Sequence, residues 1–107
     1  PAATPTLSLR YLDQHHLVFA GETATIGRAD DCHISVISAL ASRVHGLIES
    51  RGDQFFYIDQ STNGSYIKTS QGVSYVRRSE ALIAEATEIA IGGRFEDRDV
   101  CVVGVSP

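Results

Sequence analysis

The chain has 107 residues, 43% of them hydrophobic and 21% charged, a composition typical of one globular domain with a buried core. Its net charge of −4 argues against general attraction to nucleic acid or to an anionic membrane surface, because both depend on basic patches. The sequence offers neither an apolar run long enough to span a bilayer nor a signal-peptide pattern at its first residues. Cys32 and Cys101 are too few for a typical disulfide-dependent secreted domain, so we expect reduced thiols and a cytoplasmic location.

Short β-type runs separated by turn residues follow a segment, 1–6, that we expect to be flexible. The spacing of the turn signals favours an all-β sandwich or barrel that forms a single domain over residues 7–107. Two of the runs are expected to form a hairpin around Arg51-Gly52-Asp53. The predicted strands cover residues 7–12, 16–20, 23–27, 33–37, 45–50, 54–59, 65–68, 73–76, 87–91 and 99–105.

The segment 77–87 fits the strand pattern less well. It is rich in helix formers, and Ser79 has the residue type of a helix N-cap. We therefore predict one short helical turn, and we expect tertiary pairing to draw Leu82 and Ile83 into a strand.

Two loops have polar residues that turns alone do not require. Gly27 frees the backbone at a strand end, and Arg28 after it can project a guanidinium into the loop region, although a solvated arginine there is an ordinary finding. Ser42 and Arg43 end an apolar loop, where a hydroxyl and a guanidinium can share one cluster of anionic oxygens. His45, at the head of the next strand, fits a hydrogen-bonded core residue better than a catalytic one.

A third loop has the sequence STNGSY, and three interpretations of it are open. Asn63-Gly64 is a strong signal for a two-residue hairpin turn, and we expect that turn to form. Asn63-Gly64-Ser65 also matches the N-glycosylation acceptor pattern, which carries little weight in a cytoplasmic protein. A hairpin does not require Ser61 and Thr62, which are therefore either capping hydroxyls or ligand contacts.

Two catalytic or metal-binding alternatives have little support in the sequence. A hydrolase using Ser42, His45 and Asp59 lacks the nucleophile elbow and leaves little room for a substrate cleft. A metal site would need pairs of ligands at zinc spacing, and no such pairs occur among the candidates His15, His16, Cys32 and His33.

Taken in chain order, the three loops resemble those of the forkhead-associated (FHA) domain. The matching motifs are Gly27-Arg28, then Ser42-Arg43-x-His45, then the STNGS stretch of residues 61–65, with a late EIAIGG at 88–93. The resemblance implies a β-sandwich of about eleven strands without catalytic activity, cofactor or metal, whose loops at one end bind phosphothreonine peptides. The alternative function is a phospho-independent interaction or dimerisation scaffold of the same fold.

The resemblance also implies a role for each residue of these loops. Asn63 would hydrogen-bond the main chain of the ligand. Ser65 stands where the family often has Thr, a change that we expect to be harmless. An apolar loop before Ser42 would favour an apolar residue three places after the phosphothreonine. The implied phosphate contacts are Arg28, Ser42, Arg43 and Thr62; the implied specificity loop is Ala39, Leu40 and Ala41; the implied structural supports are Gly27, His45 and Gly64.

Overall fold

Eleven β-strands make up the regular structure of residues 5–107, the part of the chain that this computed structural model describes. No helix occurs in that part, so none there could cross a membrane. The strands are β1 Thr6–Tyr11, β2 Gln14–Phe19, β3 Thr23–Gly27, β4 Ile34–Ser35, β5 Gly46–Arg51, β6 Gln54–Asp59, β7 Ser65–Thr69, β8 Gly72–Val76, β9 Glu80–Ile83, β10 Thr87–Ile91 and β11 Cys101–Ser106.

The strands form two sheets that pack face to face. One has six strands in the order β2-β1-β11-β10-β7-β8, and the other has five in the order β4-β3-β5-β6-β9. All neighbours are antiparallel except β3 and β4. Apolar residues alternate along β1, β3, β6 and β11, so one face of each strand is buried in a shared core. The largest fully buried apolar side chains in that core are Tyr57, Leu7, Leu9, Ile26, Ile34, Ile48, Ile89 and Ile91. The predicted all-β sandwich is therefore confirmed.

The N-terminal segment predicted to be flexible lies partly outside the described residues, which begin at Pro5. The carbonyl of Pro5 accepts a hydrogen bond from the Ala20 N–H, and Thr6 is the first residue of β1. Cys32 and Cys101 are free thiols, the first half-buried and the second buried.

Local sequence predicted several strands closely and one poorly. The bounds of β3, β6 and β10 match the prediction, and β5 and β6 form the expected hairpin, with Arg51 opposite Gln54 and Gly52 at φ +64°. The strand predicted at 33–37 shrinks to Ile34–Ser35. After Val36 donates its N–H to the carbonyl of Gly27, the chain leaves the sheet and joins a loop.

The helical turn predicted within 77–87 is wrong. Arg78 adopts φ +54°, and the carbonyl of Ser79 accepts a hydrogen bond from the Asp59 N–H, so Ser79 caps no helix. Residues 80–83 form β9, which pairs along β6, and this confirms the strand expected at Leu82 and Ile83. The open edge of β6 supplies backbone partners to residues 79–83, and these outweigh the helix propensity of the segment.

The hairpin predicted at Asn63-Gly64 is also wrong, because β6 and β7 belong to different sheets. A type I′ turn needs positive φ at both central residues, and only Gly64 has it, at +82°. Residues 60–64 instead cross from the five-stranded sheet to the six-stranded sheet.

Strand direction places five connections at one end of the sandwich. The register pairs Gly46 with Asp59, Ser65 with Val76, Ile58 with Glu80 and Ile91 with Cys101. Because each pair stands where a strand enters or leaves that end, the connections lie side by side there. They are residues 28–33, 36–45, 60–64, 77–79 and 92–100.

Candidate functional site

Arg28 is attached to the loop that contains Ser42. Gly27 approaches the backbone of that loop so closely that a Cβ would collide with the carbonyl oxygen of Arg43. The Arg28 N–H donates to the carbonyl of Ser42 at 3.0 Å, and its Nε donates to the carbonyl of Ala41 at 3.1 Å. The side chain is nevertheless exposed, and its remaining guanidinium N–H groups make no hydrogen bond to residues 5–107.

Ser42 joins the second and third loops. Its Oγ accepts a hydrogen bond from the Thr62 N–H at 3.1 Å, and its hydroxyl proton has no acceptor among residues 5–107. Asn63 makes a second link, since its Nδ2 donates to the carbonyl of Leu40 at 2.9 Å. The side chains of Thr62 and Asn63 are exposed, and that of Ser42 is half-buried.

His45 supports these loops from the core. It is fully buried, its Nδ1 accepts from the Ser42 N–H at 3.1 Å, and its Nε2 lies 2.7 Å from the carbonyl oxygen of Gly64. A ring nitrogen that accepts from a backbone N–H carries no proton, so Nε2 must hold the proton and donate it to Gly64. Burial lowers the pKa of His45, which keeps the ring neutral near pH 7.

A buried carboxylate organises the third loop. Asp59 is 1% exposed and accepts hydrogen bonds from the backbone N–H and the Oγ of Ser61, from the Ser65 Oγ at 2.6 Å and from the Arg78 N–H at 3.0 Å. The Ser61 Oγ in turn accepts from the Gly64 N–H at 2.7 Å. The sequence analysis missed this support, although an aspartate two residues before a serine is a signal for a local Asx turn.

The hydrogen bonds of Ser42, His45 and Asn63 test the hydrolase interpretation and show what the third-loop side chains do. Ser42 Oγ bonds to Thr62 rather than to His45, and the one proton on His45 goes to Gly64, so these residues do not form a nucleophile–base pair. Asn63 uses its amide to hold the second loop, and the hydroxyl of Ser65 is buried. The third loop is thus built around internal hydrogen bonds.

Arg43 lies at the same end of the sandwich with an exposed side chain. Its carbonyl accepts from the Ala29 N–H at 3.0 Å and from the Cys32 Sγ at 3.3 Å. Its guanidinium makes no hydrogen bond or ion pair with the described residues, which leaves it available to a ligand.

The loop predicted to set specificity presents some of its residues to solvent. Leu40 is 51% exposed and Ala39 is exposed, but Ala41 is 4% exposed and belongs to the core. Ala39 and Leu40 line a surface cavity of about 450 Å³ together with Ile37, Ser38 and Asp99. Asp99 comes from the connection 92–100 and places a carboxylate beside the apolar side chains.

Two arginines that the sequence analysis did not single out also contact the third loop. The Nε of Arg77 donates to the carbonyl of Thr62 at 2.8 Å, and the Nε of Arg78 donates to the carbonyl of Ser61 at 3.2 Å. The signal was the doublet Arg77-Arg78 between two strands, which the helical interpretation of this segment concealed. Within residues 5–107, neither guanidinium forms an ion pair.

The metal-site alternative depends on side chains in the described part of the chain that could bind a metal ion. No group of three or more histidine, cysteine or acidic side chains is placed to hold an ion there. The rings of His16 and His33 are in tilted contact, with 4.7 Å between their centroids, but the Cys32 Sγ donates to the carbonyl of Arg43 and His15 bonds Ser8.

Comparisons with known proteins point to one family. The family model described as "FHA domain" matches residues 24–92. A comparison with curated proteins found no significant match. Among solved structures, the FHA-1 domain of Mycobacterium tuberculosis Rv1747 is 26% identical, with a TM-score of 0.76 over 97% of this chain and 97% of that chain.

Two further similar structures are complexes. The N-terminal FHA domain of S. cerevisiae Rad53p, solved with a phosphothreonine peptide, is 18% identical, with a TM-score of 0.72 over 94% of this chain and 92% of that one. The FhaA FHA domain, solved with the intracellular domain of Rv3910, is 22% identical, with a TM-score of 0.69 over 92% of this chain and 98% of that one. At these identities the likeness shows a shared fold.

Proposed function

The chain belongs to the FHA domain family, and on that premise we propose that it is a phosphothreonine-dependent module that recruits or regulates a partner protein. Similar FHA structures have been solved with a phosphothreonine peptide and with a protein partner. The proposed module is one domain over residues 7–107 and is not itself catalytic. Its proposed location is cytoplasmic, which the free thiols of Cys32 and Cys101 support.

One observation carries the proposal: the donors expected to bind phosphate lie on loops that are hydrogen-bonded to one another. Arg28 is bonded to the second loop, and the Ser42 hydroxyl accepts from Thr62 on the third. A phosphothreonine brings a charge of about −1.5 to −2 and three acceptor oxygens. We assign the phosphate to the Arg28 guanidinium, the free proton of Ser42 and the hydroxyl of Thr62, with Arg43 as a further cation.

Asn63 is proposed to bind the main chain of the peptide. Its Nδ2 is already committed to the carbonyl of Leu40, so its orientation is fixed and its Oδ1 is left to accept a peptide N–H. A fixed amide loses little freedom on binding, which favours affinity and sets the direction of the peptide.

The cavity beside Leu40 is proposed to take the residue three places after the phosphothreonine. Ile37 and Leu40 are 81% and 51% exposed and offer apolar contact, while the carboxylate of Asp99 would repel an acidic side chain. We therefore expect an apolar residue to be preferred over Asp or Glu at that position. Ala41, being buried, supports the loop instead of contacting the peptide.

The test is the affinity of the Arg28→Ala variant for a phosphothreonine peptide, measured by calorimetry. We expect a loss of about 1.5 to 3 kcal/mol, or roughly ten- to hundredfold, because a hydrogen bond between charged groups is removed. Arg10→Ala is the matched control, since Arg10 is exposed on β1 and bonds Ser106. Equal binding by the Arg28 variant and the control would refute the assigned pocket.

A further inference from the structure

The residues Arg77 and Arg78, which we call the arginine corner, have no role in the proposed phosphate site. The corner follows β8 and precedes β9, so it crosses between the two sheets at the end where the other loops lie. Both side chains are exposed. A pair of exposed guanidiniums beside a binding loop is a candidate site for a second acidic group.

The corner is held in place by the third loop. The Nε of Arg77 donates to the carbonyl of Thr62, and the Nε of Arg78 donates to the carbonyl of Ser61. Each bond uses one donor of the side chain and fixes the orientation of its guanidinium plane. The backbone is fixed as well, because the Arg78 N–H donates to the buried Asp59. The terminal nitrogens of both arginines make no hydrogen bond to residues 5–107, so two oriented forks of donors remain open.

No carboxylate of residues 5–107 forms an ion pair with the guanidinium of Arg77 or Arg78. Arg78 borders an open groove of about 690 Å³, and the groove has two acidic residues, Asp59 and Glu80. Asp59 is buried and hydrogen-bonded, and Glu80 is held by both terminal nitrogens of Arg51 at 2.7 and 2.9 Å. The hydrogen bond from Arg51 lowers the pKa of Glu80, as expected for a paired carboxylate.

The corner and the phosphate donors lie on opposite sides of the third loop. The N–H of Thr62 points to Ser42, whereas its carbonyl points to Arg77. Asn63 faces Leu40 on the side of the apolar cavity. A peptide that places its later residues in that cavity and crosses the third loop would bring its earlier residues to the arginine corner.

We propose that the arginine corner binds an acidic side chain, either a carboxylate or a second phosphate, on the segment that precedes the phosphothreonine. This inference rests on the proposed function, because the phosphothreonine sets the position of that segment. Recognition of the ligand would then use charge at one end of the peptide and apolar contact at the other.

The experiment measures the affinity of the full chain for a series of phosphothreonine peptides. A neutral peptide is compared with peptides that carry one Asp, or one phosphoserine, at each of about four positions before the phosphothreonine, a reach of about 13 Å for extended chain. We expect the best Asp peptide to bind about two- to fivefold tighter and the phosphoserine peptide to gain more, because exposed ion pairs are individually weak. A Lys at the same position should weaken binding by a similar factor.

The double variant R77Q/R78Q should lose the gain from the acidic flank, measured as the ratio of its affinities for the acidic and the neutral phosphothreonine peptides. The R77K/R78K variant should keep part of the gain, and Arg10→Gln serves as the control for general charge. Enhancement that survives in R77Q/R78Q, or that is equal when Asp follows the phosphothreonine, would overturn the arginine corner assignment. If R77Q/R78Q fails to fold, the test is the affinity of the wild-type chain for the Asp peptide and for the Lys peptide. Equal affinities for these two peptides would refute the assignment.

The failures of the two proposals are distinguishable. If no peptide binds in a phosphate-dependent way, the proposed function is wrong. If phosphothreonine peptides bind but the flanking charge has no effect, only the arginine corner assignment is wrong.

Discussion

At the residue scale, His45 links the two loops that bring Ser42 and Thr62 together. It accepts from Ser42 and donates to Gly64, and both bonds require the neutral ring in one tautomer. Protonation of Nδ1 would turn its acceptor site into a donor facing the Ser42 N–H. The carboxylate of Asp59 lies 3.6 Å from Nε2, the other ring nitrogen, so it does not replace the bond lost at Nδ1.

We predict that stability falls as the pH drops from about 7 to 5.5, because the pKa of His45 in the folded state lies below its unfolded value of about 6.5. Below that value the unfolded chain binds the proton first, so each pH unit favours unfolding by up to about 1.4 kcal/mol until the folded pKa is reached. Urea unfolding of the wild type and of His45→Gln, followed against pH, measures this contribution.

The matched control is His16→Gln, because partial burial and His33 also lower the pKa of His16 and give an effect of the same sign. His45→Gln should reduce the change of the unfolding free energy with pH. His16→Gln should leave the part of that change that comes from His45. An unchanged slope in His45→Gln would contradict the assignment of a neutral buried ring.

At the element scale, the connection 60–64 has no strand partner and is held by hydrogen bonds within the loop and to the neighbouring segments. Ser61 is fully buried, and its hydroxyl both donates to Asp59 and accepts from Gly64. Gly64 has φ +82°, and a Cβ there would collide with the ring of Tyr75. The loop thus depends on one hydroxyl and one glycine.

We predict that Ser61→Ala destabilises the chain by about 1 to 3 kcal/mol, because it leaves the Gly64 N–H and part of Asp59 without partners. Phosphopeptide affinity should fall as well, since Thr62 and Asn63 are attached to the same turn. Chemical denaturation and calorimetry measure the two effects, and Ser74→Ala, an exposed β8 change, is the control. A Ser61 variant with the stability of the control would show that the hydroxyl is dispensable.

The sequence predicted most elements because their signals are local. Alternation in TATIG and QFFYID marks strands with one buried face, and Arg51-Gly52-Asp53 marks the turn between two strands that do pair. The same local signal failed at Asn63-Gly64, because the sheet that each flanking strand joins is decided by distant pairing. Helix propensity failed at Ser79 for the same reason, since the open edge of β6 decides the structure of residues 80–83.

The candidate site was predictable in part. Gly27, Ser42 and His45 were recognisable from motif order, and the structure brings their loops together through direct hydrogen bonds. The arginine corner was not recognisable, because a doublet of arginines indicates nothing until the strand register brings it beside the third loop. The burial of Ala41 depends on packing that local sequence does not specify.

At the scale of the whole molecule, a net charge of −4 coexists with exposed guanidiniums on the loops at one end of the sandwich, among them Arg28, Arg43, Arg77 and Arg78. Attraction of a phosphorylated ligand depends on the local field near the loops, and a uniformly anionic partner would be repelled elsewhere.

We predict that phosphopeptide affinity decreases as pH falls below about 6, where the phosphate takes up its second proton and loses charge. Titrations at pH 7.5, 6.5 and 5.5 with a phosphothreonine peptide and a glutamate-substituted peptide separate this effect from changes in the protein. Affinity for the phosphothreonine peptide that does not vary with pH would favour the phospho-independent scaffold.

The most direct test of the central claim is a screen of one peptide library prepared with phosphothreonine, with phosphoserine and with unmodified threonine. The wild-type chain should retain the phosphothreonine set, with an apolar residue preferred three places after it, and should discriminate against the unmodified set. The Arg28→Ala chain should lose that retention, while Arg10→Ala should keep it. Equal binding of the phosphorylated and unmodified sets by the wild-type chain would contradict the account.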